Sequence, residues 1–155
     1  MDPTLRSKIL RLLDEHRIMS LATLRPDGWP QSTTVGYVSE GLRLYFMCGR
    51  QSQKAANIAH DNRVSLTIDH DVADPMTICG LSMAANALPI QDAEIARRVM
   101  TELMPKKYPE YVPSMNDANL AEMAVFAVVP RVVSVLDYSL GFGHSDLVEV
   151  RPSDL

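Results

Sequence analysis

Gly49-Arg50-Gln51-Ser52-Gln53-Lys54-Ala55-Ala56-Asn57-Ile58 follows the strand-like run Leu42 to Cys48 and opens a helix. Ser52 carries the short hydroxyl that caps a helix start, where the first backbone N–H groups lack partners of their own. Lys54 and Arg50 set positive charge beside those groups. A strand, a polar loop and a capped helix bearing a lysine suit an anion such as a phosphate. Taken alone, the same residues also describe an ordinary capped helix with a surface lysine. The flanking sequence decides between the two.

The chain has 155 residues, 46% hydrophobic and 22% charged. That is enough for one domain, 1–155, burying about 70% of its unfolded surface. A net charge of −4 argues against a nucleic-acid surface, which would be basic. No apolar run reaches membrane-spanning length, and the charged N-terminus does not read as a secretory signal, so no membrane partner and a cytoplasmic location are expected. Cys48 and Cys79 lie in apolar strand-like runs without metal-ligand spacing and read as buried thiols.

Outward from the opening stretch, Leu5, Ile9, Leu12 and Leu13 predict an amphipathic helix over 4–16. Ile18 to Leu24 reads as a strand, Pro26-Asp27-Gly28 as a turn, Pro30 to Val38 as a second strand, and Leu42 to Cys48 as the third. After the helix from Ser52 to about His60, Val64, Leu66 and Ile68 alternate with polar residues as in a half-buried strand. Met76 to Leu88 is a long apolar run in which Gly80 suggests a bulge or bend. Ile95, Val99 and Leu103 mark a helix over 92–104. Pro105 to Pro113 reads as irregular, and Asp117 to Leu120 as a short turn. Met123 to Tyr138 is the last long strand, interrupted by Pro130. Some six strands with short links and single helices between them predict a mainly β fold, an antiparallel barrel with peripheral helices.

With these parts in place the sequence resembles the pyridoxamine 5′-phosphate oxidase-like family of flavin-binding split barrels. The resemblance rests on Met19-Ser20-Leu21-Ala22-Thr23 with Asp27-Gly28-Trp29-Pro30, then Leu44-Tyr45-Phe46, then Ser52 to Ile58, then Asn62-Arg63-Val64-Ser65-Leu66. Gly80-Leu81-Ser82-Met83-Ala84 and Asp137-Tyr138-Ser139 add to it. It implies a six-stranded Greek-key split barrel, a homodimer, and FMN in grooves between subunits. By position, Ser32, Thr33, Thr34 and Val35 would run beside the isoalloxazine ring. Met47 and Cys48 would lie near the ribityl chain, and Ser52, Gln53 and Lys54, with Arg50 close by, would hold the phosphate. The expected function is an FMN-dependent oxidoreductase passing hydride at flavin N5 to or from a small molecule. A deazaflavin-dependent reductase, or a non-catalytic flavin- or haem-binding protein, is the alternative. The vitamin-converting oxidases carry a basic residue at each end of the second strand, where this chain has Ser32 and Tyr37. They also carry a Trp- and Arg-bearing C-terminal extension that this sequence does not match. A true pyridoxamine phosphate oxidase is therefore not expected.

Other clusters are weaker. Asp69-His70-Asp71 reads as a solvated loop, since consecutive extended residues point in alternating directions. His144-Ser145-Asp146 is not a triad by adjacency alone. Gly141-Phe142-Gly143-His144 reads as a mobile arm that would cover a partner's cofactor or dock on its own barrel. Lys106-Lys107-Tyr108-Pro109-Glu110-Tyr111 reads as a surface loop, with a pocket for an anionic or aromatic ligand as the alternative. Trp29 is expected as a core or interface anchor. Tyr37 and His144 are the first candidates for acid–base roles, and His60, His70, His144 and His16 are the imidazoles open to haem iron.

Overall fold

The structure, a computed structural model, describes residues 1–110 and 121–155. The expected turn at 117–120, the end of the irregular stretch at 111–113 and Tyr111 lie outside the described residues.

Helix α1 (Pro3–Glu15) starts where the Asp2 carboxylate accepts from the Leu5 N–H and Pro3 takes the first helical turn. Its buried face carries Ile9, Leu12 and Leu13, the spacing that predicted it. Eight strands then form one curled antiparallel sheet: β1 (Ile18–Leu24), β2 (Pro30–Gly36), β3 (Val38–Glu40), β4 (Arg43–Gly49), β5 (Arg63–Ile68), β6 (Cys79–Pro89), β7 (Met123–Asp137) and β8 (Ser145–Glu149). Their order is β2-β1-β5-β6-β7-β4-β3, with β8 also on β7. Six strands were expected. The second expected run is two strands, because the chain bends at Tyr37 and moves from one sheet edge to the other. β8 escaped notice because Gly141 to His144 reads as an arm, not as a turn between strands.

That bend closes the barrel covalently without closing its hydrogen bonds. β2 pairs only with β1, and β3 pairs with β4 only from Val38↔Tyr45 to Glu40↔Arg43. β2 and the end of β4 therefore approach each other with no ladder between them. This is the split.

β7 keeps β6 on one side along its length, while its other side holds β4 up to Val128 and β8 from Val132. Pro130 sits at the changeover, where its missing N–H costs the ladder least, and Arg131 is the extra residue of a bulge opposite Ala84 and Ala85. The strand is thus continuous through Pro130, not interrupted. The bulge lies at 84–85 and not at Gly80. Glycine is needed at 80 because a Cβ there would sit 2.7 Å from the Ile68 carbonyl oxygen.

Two clusters hold the molecule together. Leu13, Leu21, Tyr37, Leu44, Phe46, Leu66, Leu81 and Val133 belong to the barrel core, and Phe46 stacks on Phe126 at 5.1 Å. The second forms where Val99, Met104 and Tyr108 cover Val38, Tyr45 and Val125 on the outer face of β3, β4 and β7. Val99 and Met104 lie in one helical run, which Tyr108 ends as its cap: α3 (Ala93–Arg98), a π segment (Val99–Leu103) and α4 (Met104–Lys107). The run passes the expected end at 104 because the wider π turn accommodates Pro105, which has no N–H to give. Of its predicted apolar stripe only Val99 is fully buried, and Ile95 is 45% exposed.

Candidate functional site

The split has two walls, and ladder alternation fixes which backbone groups face it. On β2, the Arg25 N–H donates to the Trp29 carbonyl and the Tyr37 N–H to the Arg17 carbonyl. Counting between these bonded pairs, Gln31, Thr33 and Val35 bond to β1, whereas the N–H and C=O of Ser32 and Thr34 point to the open edge. On β4, the Arg50 N–H donates to the Glu122 carbonyl. By the same count, the N–H and C=O of Met47 turn away from β7 and toward the split.

Side chains sort the same residues differently. Ser32 and Thr34 are exposed on the outer face, beside Ser20 and Ala22 of β1 and then Ser65 and Thr67 of β5. The outer floor is built of small side chains, flat enough for a planar ring. Thr33 and Val35 point inward, and the buried Thr33 hydroxyl has no hydrogen-bond partner among the described residues. Met47 packs its side chain into the second cluster, while Cys48 is buried in the barrel core. Of those four, only Met47 turns its backbone to the split; the backbones of Thr33 and Val35 are taken by β1 and that of Cys48 by β7.

At one end of the split stands helix α2 (Gln53–His60). Ser52 caps it by accepting from the Ala55 N–H at 3.2 Å, and its hydroxyl donates to the Cys48 Sγ at 3.4 Å. Asn57, fully buried, donates to Thr23 Oγ1 at 2.9 Å and Gln31 Oε1 at 3.1 Å, locking the helix to β1 and β2. Gln53 donates to Asn57 at 2.8 Å, so its amide is already engaged. Arg50 donates from Nε to the Ala121 carbonyl at 2.9 Å, which ties it to the entry of β7. Lys54 is half-buried and has no hydrogen-bond or ion-pair partner among the described residues. Of the four expected phosphate residues, Lys54 is the one the fold leaves available, together with the first N–H groups of the helix; the Ser52 hydroxyl is already engaged as donor and acceptor. Asn57 was missed in the sequence. Its signal was there: a polar residue beside Ile58 on the helix's buried face needs partners.

Tyr37 is not available to the split. It is fully buried, its phenol donates to the Leu13 carbonyl at 2.9 Å, and burial raises its pKa. The Tyr108 phenol is fixed against the same bend, receiving the Tyr37 N–H at 2.9 Å and donating toward the Arg17 and Tyr37 carbonyls. Gly36 permits this, since a Cβ there would meet the Tyr108 Oη at 3.1 Å.

His144 rests beside Asp146 at 3.3 Å, with Ser145 exposed and outside any triad geometry. Phe142 is 81% exposed and touches Tyr138 edge-on at 5.5 Å. The arm's root is Asp137, which accepts from Lys8 at 2.5 Å and from the Ser139 N–H. These donors hold its carboxyl at about 2, well below the ordinary value. Trp29 is 71% exposed at the β1–β2 turn, which removes the core reading. Among the described residues no group of three His, Cys, Asp or Glu side chains could hold a metal ion. His70 instead pairs with the buried His16. The Leu12 carbonyl only accepts, so His16 Nδ1 carries the proton; with both rings neutral, His16 Nε2 then accepts from His70 Nδ1 at 2.9 Å. In that state His70 Nε2 is left with its lone pair turned outward.

The family model for pyridoxamine 5′-phosphate oxidase matches residues 5–137. The chain belongs to the pyridoxamine 5′-phosphate oxidase family. General stress protein 26 of Bacillus subtilis is 30% identical over 67 residues, 43% of this chain and 47% of that protein. The match thus spans about half of that relative. Among solved structures, a conserved hypothetical protein of Mycobacterium tuberculosis superposes with a TM-score of 0.76 at 25% identity, covering 100% of this chain and 95% of the other. The heme binding protein of Mycobacterium smegmatis superposes with a TM-score of 0.77 at 19% identity, covering 96% of this chain and 59% of that one. No helix among the described residues is long and apolar enough to cross a membrane.

Proposed function

We propose that this chain is an FMN-dependent oxidoreductase that holds its flavin in the split, as a homodimer whose second copy covers the exposed outer face. The observation that carries this is the pair of facing backbone rows, Ser32 and Thr34 against Met47, with α2 and Lys54, unpaired among the described residues, at one end. A flavin has a polar ring edge, a flat ring and a phosphate. The rows offer donors and acceptors to the ring edge, the small side chains beside Ser32 and Thr34 offer a flat floor, and the α2 N-terminus with Lys54 offers the phosphate a cation and free N–H groups. The unpartnered Thr33 hydroxyl adds polar capacity on the same strand.

When bound, flavin supplies hydride transfer at N5. The chain's own share is orientation and exclusion of water. Backbone rows set the ring's height, Lys54 fixes the phosphate end, and the arm bearing Phe142 and His144 extends where a second copy could meet it. Native mass spectrometry with an absorbance spectrum tests this. Dimer mass with bound FMN and a flavin band are expected, and Lys54→Met lowers FMN retention about tenfold, the loss of one charge-assisted contact. Monomer that takes up no FMN on titration overturns the proposal.

Haem is the second reading, favoured by one observation: His70 presents an outward lone pair held in place by His16, as an iron-ligating imidazole is held. A Soret band lost in His70→Ala would select it over flavin. Bound deazaflavin, recognised by its mass, would keep the site and change the cofactor.

A further inference from the structure

Away from the split, a cleft of about 460 Å³ opens between the end of α1, β3 and α4, lined among others by Asp14, Arg17, Ser39, Lys106 and Lys107. Lys107 is held in place: its Nζ donates to the Leu13 carbonyl at 2.8 Å and lies 4.1 Å from the centre of the Tyr37 ring. Tyr37 donates to that same carbonyl, so the amine is fixed by a group that cannot itself shift. Desolvation brings the Lys107 pKa down to about 8, which leaves an appreciable fraction of neutral amine at neutral pH. Asp14 lines the cleft, and its charge acts on both Lys107 and Tyr37. Lys106 adds positive charge to the same lining, which Glu15 shares, and Arg17 there is ion-paired with Glu110.

We propose that Lys107 is a covalent binding site for small anionic aldehydes, which condense with its amine to an imine while Lys106 attracts the anionic group and Asp14 carries the protons. The Lys107 nitrogen attacks the carbonyl carbon, and the C=O π pair goes to oxygen. Asp14 takes the two protons that nitrogen loses in turn, giving the first to the alkoxide and the second to the departing hydroxyl. Water leaves and C=N forms, so aldehyde plus amine give imine plus water with no change of oxidation state. A desolvated lysine beside a proton carrier is the arrangement such chemistry uses.

The full chain is exposed to limiting glyoxylate with sodium cyanoborohydride, which reduces the imine to a stable amine, and the adducts are mapped by peptide mass spectrometry. Lys107, held inside the cleft beside Asp14, is expected to take at least ~10-fold more adduct than Lys8, Lys54 or Lys106. Even labelling of all four overturns the site. Propionaldehyde, uncharged, is expected to label Lys107 several-fold less than glyoxylate, with the difference shrinking in Lys106→Ala; equal labelling overturns the anionic class. Asp14→Asn separates two roles. Loss of its charge alone would free the amine and speed labelling, which overturns proton transfer by Asp14, whereas slower labelling is the expected result. Mapping on the wild-type chain needs no variant, so a misfolded Lys107→Arg would leave the proposal fully testable.

Discussion

The outer face of the sheet is treated in two ways. Over β3, β4 and the first half of β7 it is covered by the helical run 93–107, and Tyr45, Val38 and Val125 are buried beneath it. Over β2, β1 and β5 it is bare, and Ser32, Thr34, Ser20, Ala22, Ser65 and Thr67 line its middle, with Ile18, Leu24 and Arg63 at its ends. Apolar residues pay for their place on the covered half by burial; the middle of the bare half has almost none to bury. The difference teaches that the bare half is kept smooth and polar while the covered half supplies stability. Substitutions should therefore separate into those that unfold the chain and those that leave it folded but empty.

The largest effect is expected at the bend that joins the two halves. Tyr37→Ala removes a fully buried ring and its bond to Leu13, and thermal or urea melts should lose about 3–5 kcal/mol. A loss under 1 kcal/mol would mean that the bend is not what ties the halves. Next comes a paired test on β2. Thr33→Pro removes a ladder donor and should cost on the order of 2 kcal/mol, while Thr34→Pro, whose N–H faces the open edge, should fold nearly as well and bind FMN poorly. Reversal of that order would show the ladder assignment to be wrong.

Asn57→Ala sits between the halves. It strips α2 of its bonds to Thr23 and Gln31, and about 1–2 kcal/mol of stability should go with it, along with FMN retention. Stability lost while FMN binding is untouched would separate α2 from the split.

The smallest effect is electrostatic and belongs to the arm. Asp137 titrates near 2 in the folded chain against an ordinary 3.8, because Lys8 and Ser139 favour its charged form. Its contribution is therefore present above pH 3.8 and fades as pH falls through 2. Melting temperatures measured down that window should drop, and Asp137→Asn should flatten the drop. A variant with the same slope as the wild type would remove Asp137 from the account.

Most of the strands were legible because they are half-buried. Val64, Leu66 and Ile68 face the core and their neighbours face water, so the alternation is written in the residues. β3 and β8 were not legible for a different reason each. β3 is a continuation of β2 in composition, and only the bonds at Tyr37 make it a separate strand. β8 pairs across a gap of irregular chain, and its Leu147 is 74% exposed, so no burial pattern marks it. The helix end at Lys107 was hidden by Pro105, whose usual meaning the π segment overrides.

The candidate site was legible in outline only. Ser52 and Lys54 follow from capping chemistry, and Ser32 to Val35 from the resemblance. Which of these face a ligand depends on register, and register depends on Arg25–Trp29 and Tyr37–Arg17, pairs that carry no motif. Asn57 and the His16–His70 pair are contacts between distant segments, and nothing local foretells them.

The Tyr37 bend also has a mechanical side. Its N–H, its carbonyl and its phenol are all bonded, to Tyr108 and to the end of α1. Widening the split means pulling β2 and β3 apart at that bend and breaking those bonds together. The gap is thus a slot of fixed gauge, like a mortise cut before the tenon arrives. Any ligand that needs a wider gap would have to break those bonds first.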